Sequence, residues 1–87
     1  MTTDPATELY ECLEATAELP VDRTASRLLG EAQAVAADVR DVDDAAVATE
    51  RAGVVADLLA EVDGTGHPAA DEHVARAREL AARLSEP

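Results

Sequence analysis

Apolar residues recur along the 87-residue chain at the three- and four-residue spacing of amphipathic helices. The first predicted helix runs from about Pro5 to Leu19, with Asp4 as its N-cap and Pro20 as its stop. The second follows Asp22, which is also a favourable N-cap. The inward-facing residues that this pattern predicts are Leu9, Cys12, Leu13 and Thr16 in the first helix, and Ala25, Leu28, Leu29, Ala32, Val35, Ala36 and Val39 in the second.

Two further helical stretches occupy the second half of the chain. The third helix is expected over about residues 44–62, with Asp41 or Asp43 as its N-cap. Residues 64–66 are predicted to form a glycine-containing, flexible loop, and the fourth helix is expected to begin at Pro68. In the third helix, the predicted inward-facing residues are Ala48, Ala52, Val55, Leu59 and Val62, and this apolar face is widened by Val47, Val54 and Leu58. In the fourth helix they are Ala70, Val74, Ala77, Ala81 and Leu84, with His73 and Leu80 at the edge of the face.

Four helices of similar length joined by short links favour antiparallel neighbours. The sequence therefore predicts an all-α fold, an up-down-up-down four-helix bundle, in one domain over residues 1–87. The alternative is that two helical hairpins from two chains complete one core. No stretch alternates apolar and polar residues over the length of a strand.

Composition adds a strong negative charge to this picture. The chain has 19 Asp and Glu residues against seven basic residues, all of them Arg, for a formal net charge of −12. Acidic chains with few aromatics are often disordered, but 47% of these residues are apolar and helically spaced, which favours a folded domain. Abundant Ala, Asp and Glu without Lys is typical of salt-adapted archaeal proteins. The alternative is an acidic protein from a GC-rich mesophile.

The charge also bears on partners and location. No clustered basic face is present, so we expect neither nucleic acid nor an anionic membrane as a partner. Residues 1–5 have neither the basic nor the apolar region of a signal peptide, and no apolar run is long enough to span a bilayer, so we expect a cytoplasmic location. The lone Cys12 allows no internal disulfide.

Candidates for catalysis or metal binding are weak. His67, Asp71 and His73 lie close in sequence, but their spacing matches no common metal motif, so a capping His67 and a boundary His73 are expected instead. A catalytic pair of Cys12, as the nucleophile, with His73 would require a tertiary contact that the sequence does not predict. Glutamates recur every three or four residues along the first helix, as is typical of a solvent-exposed helix face; they are Glu8, Glu11, Glu14 and Glu18. We expect no enzyme activity, no metal and no cofactor.

The start of the second helix carries the first binding hypothesis. Arg23, Thr24, Ser26 and Arg27 place two guanidinium groups and two hydroxyls at a helix N-terminus, which favours a phosphate or carboxylate ligand. The alternative is internal ion pairing, of Arg27 with Glu31 and of Arg23 with an acid on the first or third helix.

Small residues carry the second binding hypothesis. Gly30 and Ala37 mark a small-residue face on the second helix, together with Ser26 and Gln33. A mid-helix glycine costs about 1 kcal/mol relative to alanine, so a compensating contact is expected. The contact is either close packing of helices two and three, or a second helix layer from a dimer mate or another protein. On the third helix the face consists of Ala46, Thr49, Gly53, Ala56 and Ala60.

Three short segments give the chain a family resemblance. The segments 19–27, 70–75 and 78–81 resemble small haloarchaeal proteins of unknown function. This resemblance implies a small helical protein and carries over no activity or site residue. The expected function is a protein-interaction or regulatory module that binds itself or another protein, and the alternative is a binding module for a phosphate- or carboxylate-bearing ligand.

Overall fold

The computed structural model describes residues 4–86, which form four α-helices joined by short links. Each helix packs on the next and α4 packs back on α1, whereas the diagonal pairs within these residues stay apart. Because the links are short, neighbouring helices run antiparallel. The predicted all-α, up-down-up-down four-helix bundle is thereby confirmed. The helices are α1 (Pro5–Ala17), α2 (Arg23–Asp41), α3 (Ala45–Ala60) and α4 (Pro68–Leu84).

Carboxylates cap the first three helices. Asp4 and Asp22 act as predicted, each accepting a hydrogen bond from a backbone N–H in the first turn, at 3.2 and 2.9 Å. The prediction of Asp41 or Asp43 as the cap of α3 is wrong, because Asp44 accepts from two backbone N–H groups there, at 2.9 and 3.1 Å. The reason is that α2 continues through Asp41, which leaves only three residues between the helices.

The helices α1 and α3 each end two residues before their predicted ends. The Leu19 N–H donates to the Thr16 carbonyl, and the Val62 N–H donates to the Leu59 carbonyl, both at 3.2 Å. These are i→i+3 bonds, which tighten the last turn and take it out of the α-helical pattern.

The core lies along the bundle axis and consists of alanine, valine and leucine. Leu9, Leu13, Val55 and Leu59 are fully buried, and Leu80, predicted on the flank, is also buried. The prediction that Val47 and Val54 widen the core is wrong: they are 37% and 40% exposed, since α3 turns Ala52, Val55 and Leu59 inward instead. The remaining buried apolar residues are Ala25, Leu28, Leu29, Ala32, Ala36, Val39, Val62, Ala70, Val74, Ala77 and Ala81.

Thr65 anchors the loop between α3 and α4. Its side chain is fully buried, and its Oγ1 lies 2.8 Å from Asp71 Oδ1, which also accepts the Thr65 N–H at 2.9 Å. The Thr65 carbonyl accepts from the backbone N–H of Asp22 at 2.9 Å, so the loop contacts the start of α2. Gly64 and Gly66 flank it with φ of 125° and 80°, a region that side chains rarely adopt.

Arginine side chains join the helices at three other points. Arg78 of α4 donates to the carbonyl groups of Leu59 and Val62 at the end of α3. Arg76 of α4 donates through Nε to Glu8 of α1 at 2.7 Å. The guanidinium of Arg40 in α2 lies 4.3 Å from the ring centroid of Tyr10 in α1, a cation–π contact.

Candidate functional site

The predicted anion-binding residues share the exposed start of α2. Arg23, Thr24, Ser26 and Arg27 are all exposed. Arg27 Nη1 lies 3.4 Å from Glu31 Oε1, the ion pair that the alternative interpretation predicts. Arg23 makes no ion pair within residues 4–86. The four side chains are thus near one another, without a common bonding partner.

Carboxylates already surround this helix terminus. The side chain of Asp22 accepts the Ala25 N–H, so one of the free donors that an anion would use is occupied. Glu61 and Asp63 line the same depression of about 240 Å³, alongside Asp22 and Thr24. These charges oppose a phosphate at this terminus, so the ligand hypothesis for Arg23 and Arg27 stays a prediction.

The small residues of α2 and α3 face different neighbours. Gly30 lies in a depression of about 250 Å³ beside the α1–α2 link, and a Cβ built there meets no atom within 4 Å. A Cβ on Gly53 would instead lie 4.0 Å from the Cβ of Ser85, just after α4. Close packing of α2 on α3 therefore requires neither glycine. The other predicted interface residues are Ala37, Thr49 and Ala56, half-buried, and Ala60, exposed.

A different surface of α3 presents larger apolar side chains. Val47 and Val54 are the exposed large hydrophobic residues of the described chain, and their seven-residue spacing places them on one side of the helix. Leu58 lies four residues further along; it is half-buried and packs partly against the core, so it forms the inner edge of this surface. The sequence signal for this surface is the composition of α3, since only Glu50, Arg51 and Asp57 are charged among its 16 residues. We call Val47, Val54 and Leu58 the outer stripe.

Charged residues border the outer stripe. One end opens into a depression of about 360 Å³ between the end of α2 and the start of α3, lined by Asp38, Asp41, Val42, Val47 and Arg51. Asp41 accepts a hydrogen bond from Arg40 Nε at 3.0 Å, and this bond raises the pKa of the Arg40 guanidinium. Asp38, Glu50 and Asp57 have no ion-pair partner within residues 4–86.

The residues considered for chemistry serve structural roles. His67 is the N-cap of α4, where its Nδ1 accepts the Ala69 N–H at 3.2 Å. Hydrogen bonds from Thr65 hold the pKa of the Asp71 carboxyl below its usual value.

Burial, reinforced by the negative charge of Glu8, raises the pKa of the Cys12 thiol and so disfavours the nucleophilic thiolate. Within residues 4–86, no three metal-binding side chains come together, and no helix has the length and hydropathy to cross a membrane.

Comparison with known proteins identifies the family of the chain and no activity. Neither the curated proteins nor the solved structures contain a match. The family model described as "domain of unknown function (DUF8152)" matches residues 5–87, which include all four helices and the outer stripe. The match confirms the resemblance to a small uncharacterised family. The chain belongs to this DUF8152 family.

Proposed function

We propose that the chain is a protein-interaction module whose binding surface is the outer stripe of α3. The observation that carries this proposal is the exposure of Val47 and Val54 on one side of a single helix. A helix with apolar residues on its outer side as well as its inner side is typically covered by other protein on both sides. In the bundle, only α2 and α4 contact α3 within residues 4–86, and they leave Val47 and Val54 exposed.

Burial of these side chains supplies a driving force for association. Removing apolar surface from water gains about 25 cal/mol per Å², and a fully covered valine gains about 1.5 kcal/mol or more. Since both valines are already partly covered, their joint contribution is about 1 to 2 kcal/mol. This contribution is one part of the binding free energy, to which the surrounding carboxylates add specificity.

The test compares aspartate substitutions in the outer stripe with matched aspartate substitutions on another exposed surface. One variant carries Val47→Asp and Val54→Asp; the control carries Ala75→Asp and Ala82→Asp, exposed positions with the same spacing on α4. Each protein is immobilised and exposed to a lysate of its own cells, and bound proteins are quantified by mass spectrometry. We expect specific proteins to bind wild type and control and to be lost with the valine variant. Equal recovery by both variants contradicts the proposal, and circular dichroism verifies that both variants fold.

A further inference from the structure

The charges beside the outer stripe identify the chemistry of its partner. We infer that the stripe binds an amphipathic helix of another protein, one whose apolar face is flanked by Lys or Arg. This inference rests on the proposed function and adds the partner's charge and shape to it.

The geometry of the stripe suits a helix. Val47 and Val54 are two turns apart, about 10.5 Å along the axis of α3 at 1.5 Å per residue. Apolar residues at positions i and i+7 of a partner helix have the same separation, so two such residues lie opposite the two valines. At the Val47 end lies the depression of about 360 Å³, whose apolar lining residues are Val42 and Val47.

Carboxylates lie on both sides of the stripe. Glu50 lies three residues after Val47, and Asp57 three residues after Val54, so both are neighbours of the valines on the helix surface. On the other side, α2 contributes Asp38 to the depression that Val47 also lines. These three carboxylates are exposed and have no ion-pair partner within residues 4–86, and they outnumber the one cation beside the stripe, Arg51. They are positioned to meet Lys or Arg on both flanks of an apolar face.

A second copy of the chain is a poor occupant for the same reason. Each copy brings a formal net charge of −12, so pairing two stripes would set like charges against each other. The phosphates of nucleic acids and anionic lipids meet the same repulsion. A basic protein helix provides an apolar face together with opposite charge.

Binding of designed helical peptides tests the partner's chemistry directly. A peptide of about 16 residues, matched to the length of α3, carries a leucine face flanked by Lys. A second peptide has Glu at the flanks, and a third keeps Lys but has Gln on the leucine face. We expect only the first to bind wild type in fluorescence anisotropy at about 0.15 M KCl, where exposed charges still interact over about 8 Å.

The aspartate variants separate specific docking from general attraction to an acidic protein. Val47→Asp with Val54→Asp adds two negative charges yet should weaken binding of the leucine–lysine peptide at least about tenfold, because the apolar contact is lost. Ala75→Asp with Ala82→Asp adds the same charge and should not weaken it. Equal affinity of the glutamine–lysine peptide, or no difference between the two variants, overturns the inference.

The remaining outcomes distinguish this inference from the proposed function. If light scattering in molar KCl shows a dimer that the valine variant abolishes, a second copy covers the stripe; the basic-helix inference then fails and the interaction function stands. If the lysate partner depends on the valines but has no basic amphipathic helix, the same conclusion follows. If recovery from the lysate is independent of the valines, the proposed function itself fails.

Discussion

The Nη2 atom of Arg78 lies 2.8 Å from the carbonyl oxygen of Leu59 and 2.6 Å from that of Val62. A helix leaves its last carbonyl groups without partners inside the helix, and cations near that end also oppose its partial negative charge. One α4 side chain therefore provides hydrogen-bond donors for the C-terminus of α3, a contact that the spacing of residues along the chain does not predict.

Replacement of Arg78 by alanine should lower the free energy of unfolding by about 1 to 2 kcal/mol, because the Leu59 and Val62 carbonyl groups lose a charged donor. Urea denaturation measures the change. Arg23→Ala removes the same charge from a site without an ion pair in the described chain, and should change stability by less than about 0.5 kcal/mol. A loss equal to that of Arg78→Ala would show that net charge, and not the hydrogen bonds, is responsible.

The ion pair between Arg76 and Glu8 predicts a pH dependence. Its hydrogen bond holds the pKa of the Glu8 carboxyl below the ordinary value. Because the folded pKa is below the unfolded one, the pair stabilises the fold above the unfolded pKa, and this stabilisation is lost as pH falls through the folded pKa. The difference in unfolding free energy between wild type and Glu8→Gln should thus be constant at neutral pH and shrink below about pH 4.

The control for this experiment is Glu11→Gln, an exposed residue of α1 with no ion pair in the described residues. A pH dependence that appears with Glu8→Gln and not with this control assigns the effect to the Glu8–Arg76 ion pair. A Glu8→Gln difference that grows as the pH falls would contradict the assignment.

Replacement by alanine at two glycine positions should change the stability of the protein in opposite directions. Gly30 lies within α2 with open space at its Cβ position, so Gly30→Ala should stabilise the protein by about 0.5 to 1 kcal/mol. Gly64 has a φ of 125°, so Gly64→Ala should destabilise it by about 1 kcal/mol or more. Thermal unfolding followed by circular dichroism measures both. A loss of stability in Gly30→Ala would show that its depression admits no methyl group.

Salt should raise the melting temperature. With a net charge of −12, the fold repels itself, and raising KCl from about 0.1 M to about 1 M shortens the screening length from about 10 to about 3 Å. A charge-reduced variant with Glu11→Gln, Glu14→Gln and Glu72→Gln should gain less from the same salt. Equal gains in both proteins would attribute the effect to the salt acting on apolar burial instead.

Local signals in the sequence were sufficient for most of the fold. Spacing of apolar residues, together with Asp22 and Pro68 at helix starts, determined the number of helices and their order. The cap of α3 was predicted wrongly because Asp41, Asp43 and Asp44 are equally good caps by residue type. Asp44 is the cap because α2 continues through Asp41.

The surface was harder to predict than the core. In α3, apolar residues occupy nearly every direction, so periodicity alone could not separate Val55, which is buried, from Val54, which is exposed. The small-residue faces of α2 and α3 have similar sequences, but Gly30 lies beside the α1–α2 link and Gly53 lies near Ser85. Which side of a helix meets which neighbour depends on the tertiary arrangement.

Thr65 connects the starts of α2 and α4, which lie at the same end of the bundle. The Thr65 carbonyl accepts a hydrogen bond from the backbone N–H of Asp22, the N-cap of α2. The Thr65 hydroxyl and N–H both bond to Asp71 in the first turn of α4. If Thr65 leaves its buried position, both helix starts lose a partner at once. Slow hydrogen exchange at the beginnings of α2 and α4 should therefore report one common opening event, although these helices are diagonal in the bundle and do not pack on each other.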